Sequence, residues 1–284
     1  MSTRPIIFRT VADMRAQVAL WRAAGDRIAL VPTMGGLHAG HQSLVSRGVQ
    51  MADRVITTIF VNPTQFGAGE DLDSYPRQEA VDVAMIAESG GAGVFIPSAR
   101  EMYPEGFATK VEVAGLTDML CGARRPGHFD GVTQVVSKLL NQAGADMALF
   151  GEKDWQQLAV IRRMVQDLDI PTRIVGVPIV RDDYGLALSS RNSYLSDLQL
   201  EVARKMNVIL KRAAYDIGTG GPAQAQCATA AQAILDAGFE SIDYVECRDA
   251  QDLSLIEEVG DRPARLFAAA HLGSARLIDN LAVN

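Results

Sequence analysis

RIALVPTMGGLHAGH, residues 27–41, is an apolar run closed by a proline, followed by a pair of glycines and two histidines three positions apart. Arg27 to Pro32 reads as a strand, and the glycines read as a tight turn into a helix. A strand that feeds a helix through a glycine turn is one half of a βαβ unit. The same alternation recurs on either side. Thr10 to Ala24 carries apolar Val11, Met14, Val18 and Trp21 at three- and four-residue steps, the period of a helix. Helices are predicted over 43–52, 80–89, 132–142 and 155–168, and strands over 54–61, 93–96, 147–150 and 173–180. The strand candidate RVITTIFV, 54–61, is nearly continuous in apolar and β-branched residues, as a strand covered on both faces requires. The pattern predicts an α/β fold: a doubly wound, Rossmann-like parallel sheet, with ligands beyond the carboxyl ends of its strands.

The texture changes after about residue 190. A long helix over 196–217, a GTGGP break at 218–222, an alanine-rich helix over 223–237 and short strands at 242–247 and 265–270 point to a smaller C-terminal α+β domain. The expected division is 1–185 and 186–284. Among the 284 residues the net charge is −7, which argues against a nucleic-acid surface as the main partner. The three cysteines, Cys121, Cys227 and Cys247, form no C-x-x-C pair and no even framework, which fits a reducing compartment. No apolar h-region opens the chain, and no apolar run reaches the roughly 20 residues of a membrane span. The expectation is a cytoplasmic protein with neither membrane nor nucleic acid as a partner.

Five polar segments carry the candidate chemistry, and all but the third follow predicted strands, where that fold puts its ligands. In the first, His38 and His41 open a helix whose free N–H groups suit a phosphate, and Gly35, Gly36 and Gly40 permit close backbone approach. In FVNPTQFG, 60–67, Asn62 and Gln65 beside Phe66 suit a small organic acid, although Asn62 would equally cap an N-P turn. In RRPGHFDGV, 124–132, Arg125 and His128 stand near a helix start; Arg125 could grip a carboxylate or phosphate, or could sit on a surface loop. FGEKD, 150–154, sets Lys153 to neutralise a phosphate and Asp154 to accept from ribose or cap the helix that carries Gln157. In the segment ending LALSSRN, 186–192, serines and Arg191 offer hydroxyls and a guanidinium to phosphate oxygens. No Walker A sequence and no zinc-like cluster is present, and the metal ligands are left unassigned. Two other readings of these residues are a transferase that stops at nucleotidyl transfer and a catalytically silent nucleotide sensor.

Taken together, PTMGGLHAGH, FVNPTQFG, DLDSYPR, RPGHFDGV, FGEKDWQQL, GLALSSRN and the terminal RLIDN resemble the pantothenate synthetase (pantoate–β-alanine ligase) family, within the nucleotidyltransferase superfamily that carries the H-x-G-H element. The resemblance spans nearly the whole chain and departs only at Gly36 and Ala39. It implies an ATP-dependent ligase: pantoate attacks the α-phosphorus of Mg2+-bound ATP to give pantoyl adenylate and pyrophosphate, and β-alanine then displaces AMP. It implies that Met34, Gly35, Gly36, Leu37, His38, Ala39, Gly40 and His41 line the ATP site, with His41 as proton donor. Gly151, Glu152, Lys153, Asp154 and Val180 would hold adenosine, and Leu188, Ser189, Ser190 and Arg191 the triphosphate. Gln65, Gln157, Asn62 and Arg125 would bind pantoate, and Gln65 also β-alanine. His38, His41, Lys153, Ser189 and Arg191 would be the catalytic set, the C-terminal domain a lid, and the assembly a homodimer.

Overall fold

The computed structural model describes residues 4–67 and 69–283. In chain order its elements are β1 (Ile6–Phe8), α1 (Val11–Ala23), β2 (Ile28–Thr33), α2 (Ala39–Met51), β3 (Arg54–Ile59), α3 (Glu79–Glu88), β4 (Gly93–Phe95), α4 (Ala99–Met102), α5 (Leu120–Arg124), α6 (His128–Ala143), β5 (Met147–Gly151), α7 (Trp155–Asp167), β6 (Arg173–Val177), α8 (Asp197–Gly218), α9 (Ala223–Asp236), β7 (Ser241–Asp249), β8 (Ala264–Leu272) and β9 (Ala275–Val283). Short 3-10 turns cover 63–65, 152–154 and 190–194.

The first six strands form one parallel sheet in the order β1-β4-β3-β2-β5-β6. From β2 the chain winds one way to β3 and β4, and it later returns on the other side of β2 as β5 and β6. The winding therefore reverses between β2 and β5, and a crevice opens at their carboxyl ends. Both strands are buried on both faces: Ile28 and Ala29 of β2, and Ala148 and Leu149 of β5, expose no surface. That is why the sequence reads there as unbroken apolar runs.

The second sheet is antiparallel, β7-β8-β9, with α8 and α9 packed on it. Its core joins Leu210, Ile217, Ile234, Leu266 and Ala270. Tyr244, Leu253, Phe267 and Ala269 instead pack into the core of the first sheet, which couples the two.

Several boundaries differ from the sequence pattern. The helix after β2 starts at Ala39 rather than 43, because His38 caps it. The helix expected over 132–142 begins at His128, after Gly127 in a left-handed conformation (φ 79°). The terminal segment, for which the sequence pattern predicts no strand, is strand β9, joined to β8 through Gly273 (φ 57°). Strand β1 gives no local signal: its three residues take strand form by pairing with β4, almost ninety positions away.

One helix contact positions the site. Gly131 of α6 lies against the 63–65 turn, and a Cβ there would come within 2.3 Å of the Thr64 carbonyl and 2.5 Å of the Gln65 backbone. Gly131→Ala is expected to destabilise the fold by about 2 kcal/mol through overpacking. The check is the midpoint of urea unfolding, and an unchanged midpoint would mean that the turn yields freely.

Candidate active site

The loop between β2 and α2 is shaped by one buried carboxylate. Asp82 of α3 exposes no surface and accepts hydrogen bonds from Gly36 N (3.0 Å) and Leu37 N (2.9 Å). These two amides, in the loop that the resemblance places along ATP, are thus occupied inside the protein. Gly35 and Gly36 take φ values of 86° and 62°, which residues with a Cβ rarely adopt. The turn delivers His38 to the N-cap of α2, where its Nδ1 accepts from Gly40 N at 3.1 Å. His41, one turn on, accepts from His38 N through its own Nδ1 at 3.4 Å. Gly40 is needed here, because a Cβ would stand 2.8 Å from the His38 ring.

With Nδ1 of both rings accepting from backbone, the hydrogen-bond network assigns the proton of each neutral imidazole to Nε2. Burial, reinforced by the Lys153 charge, pushes the His38 pKa down to about 4. Burial, then His38 and Lys153, push His41 down to about 3. At neutral pH the pair is therefore two uncharged Nε2–H donors, with ring centroids 4.2 Å apart.

Asn62 and Gln65 follow β3 with different fates. Asn62 is fully buried; it caps the 63–65 turn, donates to Gly131 O (3.0 Å) and Gln65 Oε1 (3.1 Å), and accepts from the Tyr103 hydroxyl (2.8 Å). Its role as a turn cap, which the sequence left open, is the one the structure displays, and it does not line the cleft. Gln65 does, and its amide nitrogen meets only the Met34 thioether at 3.0 Å, a weak acceptor. Behind it, His128 donates from Nδ1 to Gln65 O (2.8 Å) and accepts from Arg125 at Nε2 (3.0 Å). Burial pushes the His128 pKa down to about 4. Arg125 grips Glu70 with two hydrogen bonds, at 2.7 and 2.6 Å, and holds that carboxyl below its ordinary range.

The opposite wall comes from β5 and the loop after β6. Gly151, Lys153 and Asp154 line the cleft, and so does Gln157 on the first turn of α7. The adjacent Gln156 faces inward and donates to Leu116 O and Met119 O. Leu188 N bonds to Val180 O at 3.0 Å, which closes the loop that presents Ser189, Ser190 and Arg191. Burial works against the Arg191 charge, but the Asp71 carboxylate at 2.8 Å outweighs it and raises the pKa. The Tyr75 hydroxyl lies 3.4 Å from Ser190 Oγ.

The structure thus brings Met34, His38, Gly40, His41, Gln65, Arg125, Gly151, Lys153, Asp154, Gln157, Val180, Leu188, Ser189, Ser190 and Arg191 to one cleft, over the crevice between β2 and β5. Gly35, Gly36, Leu37 and Asn62 are buried behind it, while the exposed Ala39 and half-buried Glu152 do not line it. Sequence reasoning missed the floor, Val132, Val135, Val136 and Leu139 of α6, together with Phe60 and Phe150. Their helical spacing was legible, but it reads the same for a core face as for a ligand floor. A second cavity of about 800 Å³ adjoins the cleft beneath the C-terminal sheet and shares Arg125, His128, Lys153, Gln157 and Arg191 with it.

The pantoate-β-alanine ligase family matches residues 6–282 of the chain. A pantothenate synthetase of Paramagnetospirillum magneticum is 55% identical over 283 residues, covering 100% of this chain and 99% of that protein. One from Caulobacter vibrioides is 52% identical, with 99% of each covered. Among solved structures, pantothenate synthetase from Thermus thermophilus is similar with a TM-score of 0.92 and 42% identity, over 98% of this chain and 99% of that one. The pantoate–β-alanine ligase of Francisella tularensis, complexed with β-γ ATP and β-alanine, gives 0.82 and 32% over 98% and 97%.

The buried histidines set a pH dependence. Their folded pKa values lie below the ordinary 6.5, so between the two limits the unfolded chain binds more protons than the native one. Stability should be greatest above pH 6.5 and fall as the pH drops through 6.5 towards 4. His38→Asn should shallow that fall, as read from melting temperature against pH. Equal slopes in variant and wild type would show that His38 is not held neutral.

Proposed function

This chain belongs to the pantoate–β-alanine ligase family and joins pantoate to β-alanine at the expense of ATP, and we propose that it does so through a pantoyl adenylate formed in the cleft between β2 and β5. The observation that carries this reading is the pairing of two neutral Nε2–H donors with Lys153 and Arg191 around one cleft that also holds Gln65 and Gln157 over an apolar floor.

Adenylation brings two anions together. The pantoate carboxylate oxygen forms a bond to the α-phosphorus, and the bond from that phosphorus to the bridging oxygen of pyrophosphate breaks. Negative charge accumulates on the leaving group, and groups already fixed in place stabilise it without reorganising. His38 and His41 donate their Nε2 protons as hydrogen bonds to phosphate oxygens; being uncharged, they do so without surrendering a proton to solvent. Lys153 and Arg191 supply positive charge, and Ser189 and Ser190 supply hydroxyls. Arg191 comes to the phosphates from Asp71, so binding exchanges one anion for another instead of burying a bare cation. The adenosine lies along Gly151 to Asp154 and Val180, with Met34 and Leu188 bordering it.

Gln65 and Gln157 hold the polar end of pantoate, whose methyl groups rest on Val132, Val135, Val136 and Leu139. Asn62 acts behind Gln65 by fixing the turn, and Arg125 through His128. In the second step the uncharged amine of β-alanine, placed by the Gln65 carboxamide, forms a bond to the acyl carbon, the bond to the AMP oxygen breaks, and the surplus amine proton passes to solvent. That step needs position more than acid–base help, since the acyl group is already activated.

Among the described residues no cluster of three or more His, Cys, Asp or Glu could cage a metal. This fits Mg2+ arriving on the triphosphate, where it would neutralise phosphate charge with Asp71 or Asp154 as its protein oxygens. We further take residues 1–185 as the nucleotide- and pantoate-binding domain and 186–284 as a lid over the reactive adenylate, the protein as a homodimer, and the cytoplasm as its compartment. Among the described residues no helix is long and apolar enough to cross a membrane.

Pantoate labelled with 18O in its carboxylate tests the intermediate. AMP should carry one 18O per turnover, and pyrophosphate none. Label in inorganic phosphate, with ADP as product, would replace the adenylate by an acyl phosphate. His41→Ala should lower the rate roughly a hundredfold to a thousandfold, as loss of a preorganised donor does.

A further inference from the structure

The terminal RLIDN segment, 276–280, lies in the C-terminal sheet, yet its last residue reaches the cleft from behind. Asn280 on β9 exposes only 2% of its surface. Its Nδ2 donates to Glu152 O at 3.0 Å and to Lys153 O at 2.8 Å. Arg265 of β8 donates to its Oδ1, which fixes the amide with its nitrogen towards those carbonyls. The neighbouring Asp279 accepts from Asn280 N at 2.7 Å and forms a two-pronged ion pair with Arg181, at 2.7 and 2.8 Å, which ties β9 to the loop that presents Ser189.

The two carbonyls belong to the peptide planes on either side of the Lys153 Cα. Rotation of the first plane is φ of Lys153, and rotation of the second is ψ. A single donor group that holds both oxygens therefore fixes the direction in which the Lys153 side chain leaves the backbone. Local sequence supplies no substitute: the 152–154 turn has no side-chain cap, and neither does the start of α7. Two further contacts, on the adjoining Trp155, also come from the C-terminal part. Arg265 stacks over the Trp155 ring at 3.6 Å, and Trp155 Nε1 donates to Ala250 O at 2.8 Å.

We propose that Asn280 is a positioning residue for Lys153, so that the phosphate-facing amine is aimed only while the C-terminal sheet is seated on the 152–154 turn. This rests on the reading of Lys153 as a phosphate contact. It makes the C-terminal part a component of the adenylation machinery as well as a cover.

Asn280→Asp is the informative change. The carboxylate keeps the size of the side chain and keeps Arg265 as a partner, but it cannot donate to the two carbonyls. The adenylation rate, measured by pantoate-dependent exchange of labelled pyrophosphate into ATP, should fall roughly tenfold to a hundredfold, the scale of a small misplacement of a catalytic group. The KM for pantoate should stay near the wild-type value, because Gln65 and Gln157 are untouched. Asn280→Ala should show the same loss if the Asp variant folds poorly. The decisive comparison is the double variant Lys153→Ala/Asn280→Asp, which should be no slower than Lys153→Ala alone. Multiplying losses, or an undiminished rate in both Asn280 variants, would overturn the proposal. A Lys153→Ala enzyme with wild-type exchange would instead overturn the reading of Lys153 on which the proposal stands.

Discussion

Strands β2 and β5 lie side by side because the chain leaves them in opposite directions, and the chemistry of the molecule depends on the crevice left at their carboxyl ends. A parallel sheet of this kind must be covered by helices on both faces, so its open edge of loops is the place where polar groups can converge without breaking a core. The histidine loop follows β2 and the lysine turn follows β5. Asp82 fixes the first from inside the protein, and Asn280 holds the second from the other sheet. Neither side of the cleft is shaped by its own segment alone.

The electrostatics follow from that burial. Imidazoles that are deprived of water and placed near Lys153 favour the neutral form, and backbone amides at Nδ1 leave the donor at Nε2. The guanidinium groups cannot shed their charge in this way. They are paired instead, Arg125 with Glu70 and Arg191 with Asp71, both acids of the loop after β3. The cleft therefore combines uncharged donors that need no counter-ion with cations that are paired inside the protein.

Much of this was legible in the residues. The RIALVP and RVITTIFV runs showed buried parallel strands because their apolar character does not alternate, and the glycine pair before His38 marked the turn. Four of the five chemistry-bearing segments could be recognised because they come after a strand; the segment at 124–132 instead joins two helices. Less legible were features whose cause lies far away in the chain. Three residues at 6–8 become a strand only by pairing with Gly93 to Phe95. The helical spacing of Val132, Val135, Val136 and Leu139 marks an apolar face but does not say that part of that face would border a cleft.

The sequence by itself determined the α/β class, the alternation of strands and helices from α1 to β6, and the segments that carry the reactive groups, because hydrophobic period and turn chemistry are local properties. Only the tertiary structure decided which of those groups reach the cleft. It turned Asn62 and Gln156 inward and Gln65 and Gln157 outward, and it occupied the Gly36 and Leu37 amides with Asp82. It also made the terminal Asn280 a support for Lys153, 127 positions earlier in the chain. The physical reason is that a hydrogen bond forms with whatever donor or acceptor folding brings near, and a polar side chain carries the same signal in sequence whether its partner is the protein's own backbone or a substrate.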